Sequence, residues 1–459
     1  MKEPLYRALA AELRREIRSG NLRSGDKLPS KRALAEEKKL SIMTVTGALQ
    51  LLEAEGCIRA EERRGYFVAD GIKIDYSPDP EPESQNTSCR FDFRSSNTAV
   101  EGFPFYTWAK LMRETLSEKD VRLLSAIDPK GVRELRTEIA RQLRLLRGIA
   151  CEPRQVIIGA GTEYLIGLLY QLLGKRNYAF ESPGYTKAAK IYSHLGANLS
   201  FLPTDSQGIS VDILRQNADI DVVQVTPSHS FPLGIVTSPE RRRELIAWVG
   251  EQDGHYIIED DFDSEFRYSG GSFPSLFSLD HSDRVIYMNT FTRTLAPSMR
   301  IGYMVLPPTL LRLFERDFLF YSSTVPALEQ YVLARFIADG SFERHLSRMR
   351  KIYRRRRDIL IEELAGFGDH IEVLGVEAGV HILVALKGGL TERGVLDYAA
   401  SRGIVLAGIG DYLPSEKARG QFGDAVVVNF SGVAEDGIRE AVSIMYEGFR
   451  EFMDRGQSV

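Results

Sequence analysis

A short polar segment between two apolar runs carries the side chains best suited to chemistry. In "NTFTRTLAPSMR", Thr290, Thr292, Arg293 and Arg300 follow the apolar run "RVIYM" and precede "IGYMVLP". Hydroxyl side chains donate and accept hydrogen bonds, and a guanidinium offers a planar fork of N–H donors. This combination is typical of a site for a phosphate or a carboxylate. The sequence therefore predicts an anion-binding turn between two buried strands.

Other polar positions stand where apolar runs end. Gly161 and Thr162 follow "QVIIGA", Tyr185 lies in "ESPGY", and Asp260 closes "YIIED". Gly161 and Thr162 are predicted to begin a helix whose backbone N–H groups point at an anion. Each position also has an ordinary structural explanation, as a helix cap, a core aromatic residue or a strand-end cap. Their joint spacing favours one shared ligand site.

The body of the chain alternates short apolar runs with helical stretches. The runs "QVIIG", "NYAFES", "DVVQVTP", "HYIIEDD", "RVIYMN" and "RIGYMVLP" are continuously apolar, which is typical of strands buried on both faces. They predict a mostly parallel α/β sheet. Ligands collect at the carboxyl ends of such strands. The runs do end in polar or small residues, as in "GAGTE", "ESPGY", "TPSHSFPLG", "EDDFD" and "NTFTRT".

The N-terminal segment has a different pattern. Residues 4–19 place Leu and Ile four apart, which predicts an amphipathic helix that ends at Gly20. A short helix follows in "KRALAEEKKL", and a longer one is capped by Ser41 and ends at Gly56. "CIRAE" and "GYFVAD" are predicted as two strands. Three helices and a two-stranded wing form a winged helix-turn-helix, which binds double-stranded DNA with its third helix in the major groove.

Charge and composition agree with this division. Residues 1–70 hold fourteen Lys or Arg and eleven Asp or Glu, a net charge of +3, whereas the 459-residue chain is −4 overall. A basic head on an acidic body fits nucleic-acid contact by the head. No apolar run approaches the roughly 20 residues of a membrane span, and the N-terminus has no signal-peptide pattern. Three scattered cysteines indicate reduced thiols, so a cytoplasmic protein is expected.

The head resembles the DNA-binding domain of the GntR family from "LRSGDKLPS" to "GYFV". The positions to which the resemblance assigns DNA contacts are Lys31, Arg32, Ser41, Thr44 and Gly65. Ile42 and Thr46 depart from the family, which often has arginine at both places. Each departure removes a charge-assisted contact with a phosphate or a base. A winged helix used only for protein contact is the alternative.

The order of head, linker and body resembles the MocR subfamily of GntR regulators. In that subfamily a winged helix-turn-helix is fused to a fold-type I aminotransferase-like domain. The blocks "FDFRSSNTAVEGFPFYTWAKLMR", "PSHSFPLG" and "YIIEDDFDSEFRY" follow it in order and spacing. The implied domains are residues 1–70 for DNA binding, a Pro- and acid-rich linker at 71–90, and an effector and dimerisation domain at 91–459. A homodimer is implied, because fold-type I sites are built between two subunits.

The resemblance also implies pyridoxal 5'-phosphate, or pyridoxamine 5'-phosphate, as the ligand class. Asp260 matches the carboxylate on the pyridine nitrogen, and Tyr185 matches the aromatic residue that packs on the ring. The phosphate-binding positions would be Gly161, Thr162, Thr290, Thr292 and Arg300.

The covalent part of this site is missing. The subfamily pattern Ser/Thr-Phe-Ser-Lys-Ser/Thr-Leu reads "TFTRTL" here, so Arg293 stands at the Schiff-base lysine, and no lysine lies between Lys190 and Lys351. A protonated guanidinium is no nucleophile, so any cofactor that binds is held non-covalently. Arg293 either faces an anion or replaces the lysine structurally, paired with Asp260.

Other departures and one basic run complete the pattern. Phe262 replaces a tyrosine that bonds the cofactor, and Val427 replaces an arginine that binds the substrate carboxylate, while Lys187 stays available to an anion. "RHLSRMRKIYRRRRDIL" is either a solvated face or a surface that follows DNA. The sequence thus predicts a regulator that senses a small molecule and lacks transaminase activity. A working aminotransferase with a DNA-binding head and a regulator whose body is only a scaffold are the alternatives.

Overall fold

The structure is a computed structural model in which the chain forms two compact units, Met1–Gln85 and Asn86–Val459. It describes residues 4–18, 20–62, 64–69, 89–94, 97–117, 121–269, 273–414 and 422–454. The predicted linker, residues 71–90, lies outside the described residues except for its last two.

The first unit has the predicted three helices and two-stranded wing. Its elements are α1 (Leu5–Arg18), α2 (Lys31–Glu37), α3 (Ile42–Ala54), β1 (Ile58–Glu61) and β2 (Gly65–Val68), with the two strands antiparallel. Ser30 and Ser41 cap α2 and α3, because each hydroxyl accepts a hydrogen bond from a backbone N–H three residues later. Leu9 and Leu13 are buried in the core of this unit, whereas Leu5 of the same stripe is exposed.

The second unit contains helices that cover a large sheet and a smaller one. The helices are α4 (Phe105–Ser117), α5 (Arg133–Arg147), α6 (Thr162–Leu173), α7 (Thr186–His194), α8 (Val211–Gln216), α9 (Pro239–Glu251), α10 (Leu276–Leu279), α11 (Pro308–Asp317), α12 (Ala327–Ala338), α13 (Ser341–Leu364), α14 (Glu392–Ser401) and α15 (Glu435–Asp454). The strands are β3 (Phe91–Asp92), β4 (Val156–Gly159), β5 (Asn177–Ser182), β6 (Asn198–Asp205), β7 (Gly208–Ile209), β8 (Val222–Val225), β9 (Tyr256–Asp260), β10 (Val285–Thr290), β11 (Gly302–Val305), β12 (Ile371–Leu374), β13 (His381–Leu386), β14 (Ile404–Val405), β15 (Ala407–Gly408) and β16 (Ala425–Asn429).

The large sheet is mostly parallel, as predicted. Its order is β4-β11-β10-β9-β8-β5-β6-β7, with β11 antiparallel to both neighbours and β7 antiparallel to β6. All six predicted runs form strands of this sheet. Alternate residues of β10 enter different cores: Tyr287 packs with α5 and α12, and Ile286 packs with α6 and α11. The strand is therefore apolar throughout, because helices cover both faces.

A four-stranded antiparallel sheet, in the order β12-β13-β16-β15, forms a separate core with α13, α14 and α15. Val427 lies in β16 and pairs with Leu383 in β13 and with Ala407 in β15. No helix of the described ranges is long and apolar enough to cross a membrane.

Candidate functional site

The predicted helix start and Arg300 are neighbours in the second unit. Gly161 precedes α6 with φ of +86°, a left-handed conformation that favours glycine. A Cβ atom at Gly161 would lie 2.9 Å from Nη2 of Arg300, so any side chain would meet the guanidinium. The glycine therefore lets Arg300 approach the first turn of α6, which begins at Thr162.

Two cations share one carboxylate at this helix start. Nη2 of Arg300 lies 3.2 Å from Oε2 of Glu163, and Lys187 pairs with the other oxygen of the same carboxylate. The hydrogen bond from Lys187 lowers the pKa of Glu163, against the opposing effect of burial. Two positive charges against one negative charge leave a net positive charge beside the helix N-terminus, which favours an anion.

The threonine hydroxyls meet at the carboxyl end of β10. Oγ1 of Thr290 and Oγ1 of Thr292 are 2.8 Å apart, and the backbone N–H of Thr292 donates to Oγ1 of Thr290 over 3.2 Å. Gly302 pairs with Thr290 across the sheet, and a Cβ at Gly302 would lie 3.4 Å from the carbonyl carbon of Gly161. The structure thus brings the threonine turn and the start of α6 together.

Asp260 ends β9 as a buried carboxylate. Nε2 of Gln224 donates to its Oδ2 over 3.2 Å. Burial raises the pKa of Asp260 to about 7, and the charge of Asp261 adds to this effect. The half-exposed Tyr185 lies in the same region, since the charges of Asp260 and Arg293 both influence the pKa of its phenol. A buried carboxylate of this kind favours a cationic N–H partner.

Arg293 turns its guanidinium into the domain. Its Nη1 atom is buried and makes no hydrogen bond with any described residue. Burial lowers the pKa of Arg293, and the Asp263 carboxylate opposes that effect. Among the described residues, no ion pair within 4.0 Å joins Arg293 to Asp260. The structural pairing that the sequence offered as one role for Arg293 is therefore not formed.

Two buried histidines beside Arg293 escaped the sequence analysis. Nδ1 of His229 lies 3.0 Å from Oδ2 of Asp263, and the rings of His229 and His381 have centroids 4.5 Å apart. Nε2 of each histidine is buried without a hydrogen-bond partner in the described structure. Burial lowers the pKa of His381 well below its ordinary value, and the charges of His229 and Arg293 add to this. His229 lies in "TPSHSFPLG" and Asp263 in "EDDFD", and both segments follow predicted strands. Their positions at strand ends could have identified them as candidate site residues.

Phe262 and Val427, which differ from the subfamily pattern, offer a ligand no polar side chain. The ring of Phe262 is 6.4 Å from that of Phe231 and nearly perpendicular to it, so this position offers no hydroxyl to a ligand. Val427 is buried in the small sheet. Lys187, predicted to be available to an anion, is already paired with Glu163.

The first unit places the predicted DNA-binding residues at two helix starts and the wing. The N–H of Thr44 donates to Oγ of Ser41 over 3.0 Å, and the two hydroxyls are 2.8 Å apart. Part of their hydrogen-bonding capacity is therefore used to cap α3. Nζ of Lys31 lies 5.4 Å from the centroid of the Tyr66 ring, so the start of α2 adjoins the wing.

The exposed start of α3 is apolar. Ile42 is 52% exposed and Met43 is 82% exposed, although both lie among polar residues. Arg32 is exposed on α2, and Gly65 begins β2 with φ of +112°. The fold brings these residues to the surface of one small unit.

Two family models match the chain. Residues 5–68 match "Bacterial regulatory proteins, gntR family", and residues 96–397 match "Aminotransferase class I and II". The protein belongs to the GntR family, in the MocR subfamily of regulators that join a helix-turn-helix domain to a fold-type I aminotransferase-like domain.

Known relatives share this organisation. The uncharacterized HTH-type transcriptional regulator YdeL of Bacillus subtilis (strain 168) is 36% identical, covering 96% of this chain and 95% of its own. The probable rhizopine catabolism regulatory protein MocR of Rhizobium meliloti is 30% identical, covering 97% and 94%. Among solved structures, kynurenine aminotransferase of Pyrococcus horikoshii in complex with PMP is 25% identical, with a TM-score of 0.69, covering 79% and 91%.

Proposed function

We propose that the protein is a homodimeric DNA-binding transcription regulator whose aminotransferase-like domain senses a small phosphorylated or amino-acid-like molecule without a covalent bond. The observation that carries this proposal is the site beside Arg293. Groups that can bind an anion meet at the carboxyl end of β10 and the start of α6. The position that matches the Schiff-base lysine holds instead a guanidinium whose buried Nη1 has no hydrogen-bond partner among the described residues. The names of the relatives, which are transcriptional regulators, support the same conclusion.

The groups at the start of α6 fit the phosphate of pyridoxal or pyridoxamine phosphate. Arg300 supplies a guanidinium, Thr290 and Thr292 supply hydroxyls, and Gly161 leaves space that a Cβ would fill. Asp260 fits the pyridine nitrogen, because its buried carboxylate has no cation within 4.0 Å among the described residues. In aminotransferases, bound pyridoxal phosphate supplies the electron sink for amino-acid chemistry.

Covalent attachment does not fit the same site. The guanidinium of Arg293 stays protonated and cannot attack an aldehyde. Phe262 offers no hydroxyl near Phe231, where a tyrosine would hydrogen-bond the cofactor. The site therefore supports binding and argues against transamination.

The polar atoms around Arg293 fit a ligand that carries both a carboxylate and an amine. Nη1 of Arg293 is a donor without an acceptor, and Nε2 of His229 and Nε2 of His381 are acceptors without a donor in the described structure. Nδ1 of His229 faces Asp263 at 3.0 Å, which leaves the lone pair on Nε2. A buried polar atom without a partner costs about 1–3 kcal/mol, so a ligand that satisfies these atoms gains affinity.

The first unit supports DNA binding through the start of α3 and the wing. Lys31 and Arg32 supply positive charge beside them, as the phosphate backbone requires. Thr44 presents a hydroxyl at the first turn of α3, and Ile42 presents an apolar side chain where the family often has arginine. We therefore expect binding with weaker phosphate or guanine contact at that position.

An apolar surface in the second unit supports the homodimer. Large apolar side chains on and after α4 are exposed in the single chain: Phe105, Tyr106, Leu116, Val121 and Leu124. Exposed apolar side chains grouped on one segment are typical of an interface between proteins. A second copy of the chain would bury them.

Thermal unfolding with small anions tests the ligand site. Pyridoxamine phosphate, pyridoxal phosphate and inorganic phosphate would be added to the wild type, to Arg300→Ala and to the control Arg312→Ala. Arg312 is an exposed arginine on α11 that takes no part in the site. A ligand that binds only the folded protein raises Tm by mass action. We expect a rise for the wild type and the control, and a reduced rise for Arg300→Ala.

The absorbance spectrum with pyridoxal phosphate is the companion measurement. We expect no band from lysine-bound cofactor in the wild type. If no anion raises Tm, or if Arg300→Ala responds like Arg312→Ala, the body is a dimerisation scaffold and the ligand proposal is wrong. Turnover of an amino acid would instead establish a working aminotransferase.

A further inference from the structure

Arginines line a cavity in the second unit. It has a volume of about 380 Å³ and lies among α5, α13, β10 and β11. Arg147, Arg267, Arg350 and Arg354 line it, together with Glu265. Of the predicted cofactor-binding residues, only Thr290 reaches this cavity. The cavity therefore adjoins the site at the start of α6 at Thr290, whereas its arginines are not part of that site.

Among the described residues, three of the four guanidiniums form no ion pair with a carboxylate. Arg147 is matched by Asp261, with Nε 2.8 Å from Oδ2. Arg267, Arg350 and Arg354 have no carboxylate oxygen within 4.0 Å among the described residues. Burial lowers the pKa of Arg267, the Glu377 carboxylate opposes that effect, and the like charge of Arg147 adds to it more weakly. The cavity therefore holds an excess of positive charge.

Main-chain carbonyl groups hold these three arginines in place. Nε of Arg350 donates to the carbonyl of Glu265 over 2.6 Å. Nη2 of Arg354 donates to that of Tyr268 over 3.3 Å, and Nε of Arg267 donates to that of Ser269 over 3.1 Å. A carbonyl positions a guanidinium without neutralising it, so N–H donors stay available to another acceptor.

Glu265, the one acidic residue among the described residues that line the cavity, does not balance the charge. Nδ2 of Asn289 donates to Oε1 of Glu265 over 3.1 Å, and Oε2 of Glu265 is buried without a partner in the described structure. Burial raises the pKa of Glu265 to about 7, with a further contribution from Asp261. Glu265 therefore offsets at most one of these three guanidiniums.

We propose that this cavity binds a small anion with two or more negative charges, carried by phosphate or carboxylate groups. Its volume lies within the range of small-molecule sites, about 300–1,000 Å³. Guanidinium forks bind both kinds of group in a bidentate manner. Such a site would give the regulator a second ligand, separate from the one at the start of α6.

Calorimetric titration of the full-length Arg300→Ala protein tests the proposal, because that background weakens the first site. Inorganic phosphate and citrate are the probes, and acetate at equal ionic strength is the monovalent control. We expect phosphate or citrate, or both, to bind and acetate not to bind. Adding Arg354→Gln should weaken binding at least tenfold, and Arg350→Gln should do the same.

Arg355→Gln is the matched control. Arg355 lies on the same helix, pairs with Glu435 at 2.8 Å and does not line the cavity. Because Arg354 is exposed, its glutamine variant should fold even if Arg350→Gln does not. If neither probe binds more tightly than acetate, or if Arg354→Gln and Arg355→Gln weaken binding equally, the proposal is wrong. If the wild type binds these anions and Arg300→Ala does not, the proposal is also wrong, and the site at the start of α6 is supported instead.

Discussion

Asp260 is the residue whose replacement tests the electrostatics of the candidate ligand site most directly. Burial raises its pKa from 3.8 to about 7. A carboxyl whose pKa is higher in the folded state than in the unfolded state lowers the free energy of unfolding once the pH exceeds the unfolded pKa. Its penalty therefore begins above about pH 4, grows as the pH rises, and is complete above about pH 7. A difference of about three pH units corresponds to roughly 4 kcal/mol at most.

Asp260→Asn should therefore stabilise the ligand-free protein. At pH 5 the pH is only about one unit above the unfolded pKa, so the substitution should raise the free energy of unfolding by roughly 1–2 kcal/mol. At pH 8, above both pKa values, the increase should reach roughly 4 kcal/mol. Urea unfolding followed by tryptophan fluorescence measures this gain. The two tryptophans, Trp108 and Trp248, both lie in the second unit, so the signal does not come from the first.

Asp280→Asn is the control with the opposite sign. Burial alone would raise the pKa of Asp280, but hydrogen bonds from Ser282, Arg284 and Val285 outweigh burial and lower it. A lowered pKa stabilises the folded state above the unfolded pKa and loses that effect as the pH falls. Asp280→Asn should therefore destabilise the protein at both pH 5 and pH 8.

The reasoning fails if Asp260→Asn gives no gain at pH 8, or the same gain at pH 5 and pH 8. Either result would mean that the buried charge is compensated within the protein. Pyridoxamine phosphate links this experiment to the ligand. It should raise the stability of the wild type more than that of Asp260→Asn, because the variant cannot pair its amide with a protonated pyridine nitrogen as strongly.

Two further predictions concern the positions that depart from the family. Ile42→Arg should tighten binding to DNA from the protein's own upstream region by about 1–3 kcal/mol if the guanidinium reaches a guanine. Fluorescence anisotropy at fixed salt measures the affinity. If Gln50→Arg, further along α3, tightens DNA binding equally, the effect comes from added positive charge and not from a contact with a base. Arg293→Lys should yield a borohydride-trapped pyridoxal adduct on the substituted lysine, incompletely because Phe262 lacks the hydroxyl. Mass spectrometry of tryptic peptides measures it, and an adduct on Lys187 of the wild type would contradict the non-covalent site.

The parallel sheet could be predicted because its strands are buried on both faces. "VIIG" and "YIIED" are apolar throughout and are fully buried in β4 and β9. Strand β6, Asn198–Asp205, was missed because exposed and half-buried residues alternate irregularly along it and Pro203 interrupts it. Continuous apolar runs therefore identify strands that are buried along their whole length, including the edge strand β4, and overlook a partly exposed strand such as β6.

The candidate site divides in a similar way. Thr290, Thr292 and Arg300 occur close together in the sequence, so their chemistry was visible before the fold. His381 is far from His229 in the chain and begins β13 of the small sheet, so nothing local connects the two imidazoles. Only the packing of the small sheet against the strand ends brings them together. Contacts of this kind depend on tertiary structure and lie beyond sequence patterns.

The basic run on α13 shows how a charge run divides once it is placed on a helix. Successive residues of an α-helix are about 100° apart, so consecutive arginines point in different directions. Arg354 lines the cavity, Arg355 pairs with Glu435 at the surface, and Arg356 is buried against the carbonyl of Ser431. The four consecutive arginines therefore cannot form one surface that follows DNA. A surface that follows DNA would have to use outward residues such as Arg355, whereas the proposed anion cavity uses Arg354. Substituting Arg355 and Arg354 one at a time therefore tests the two roles separately.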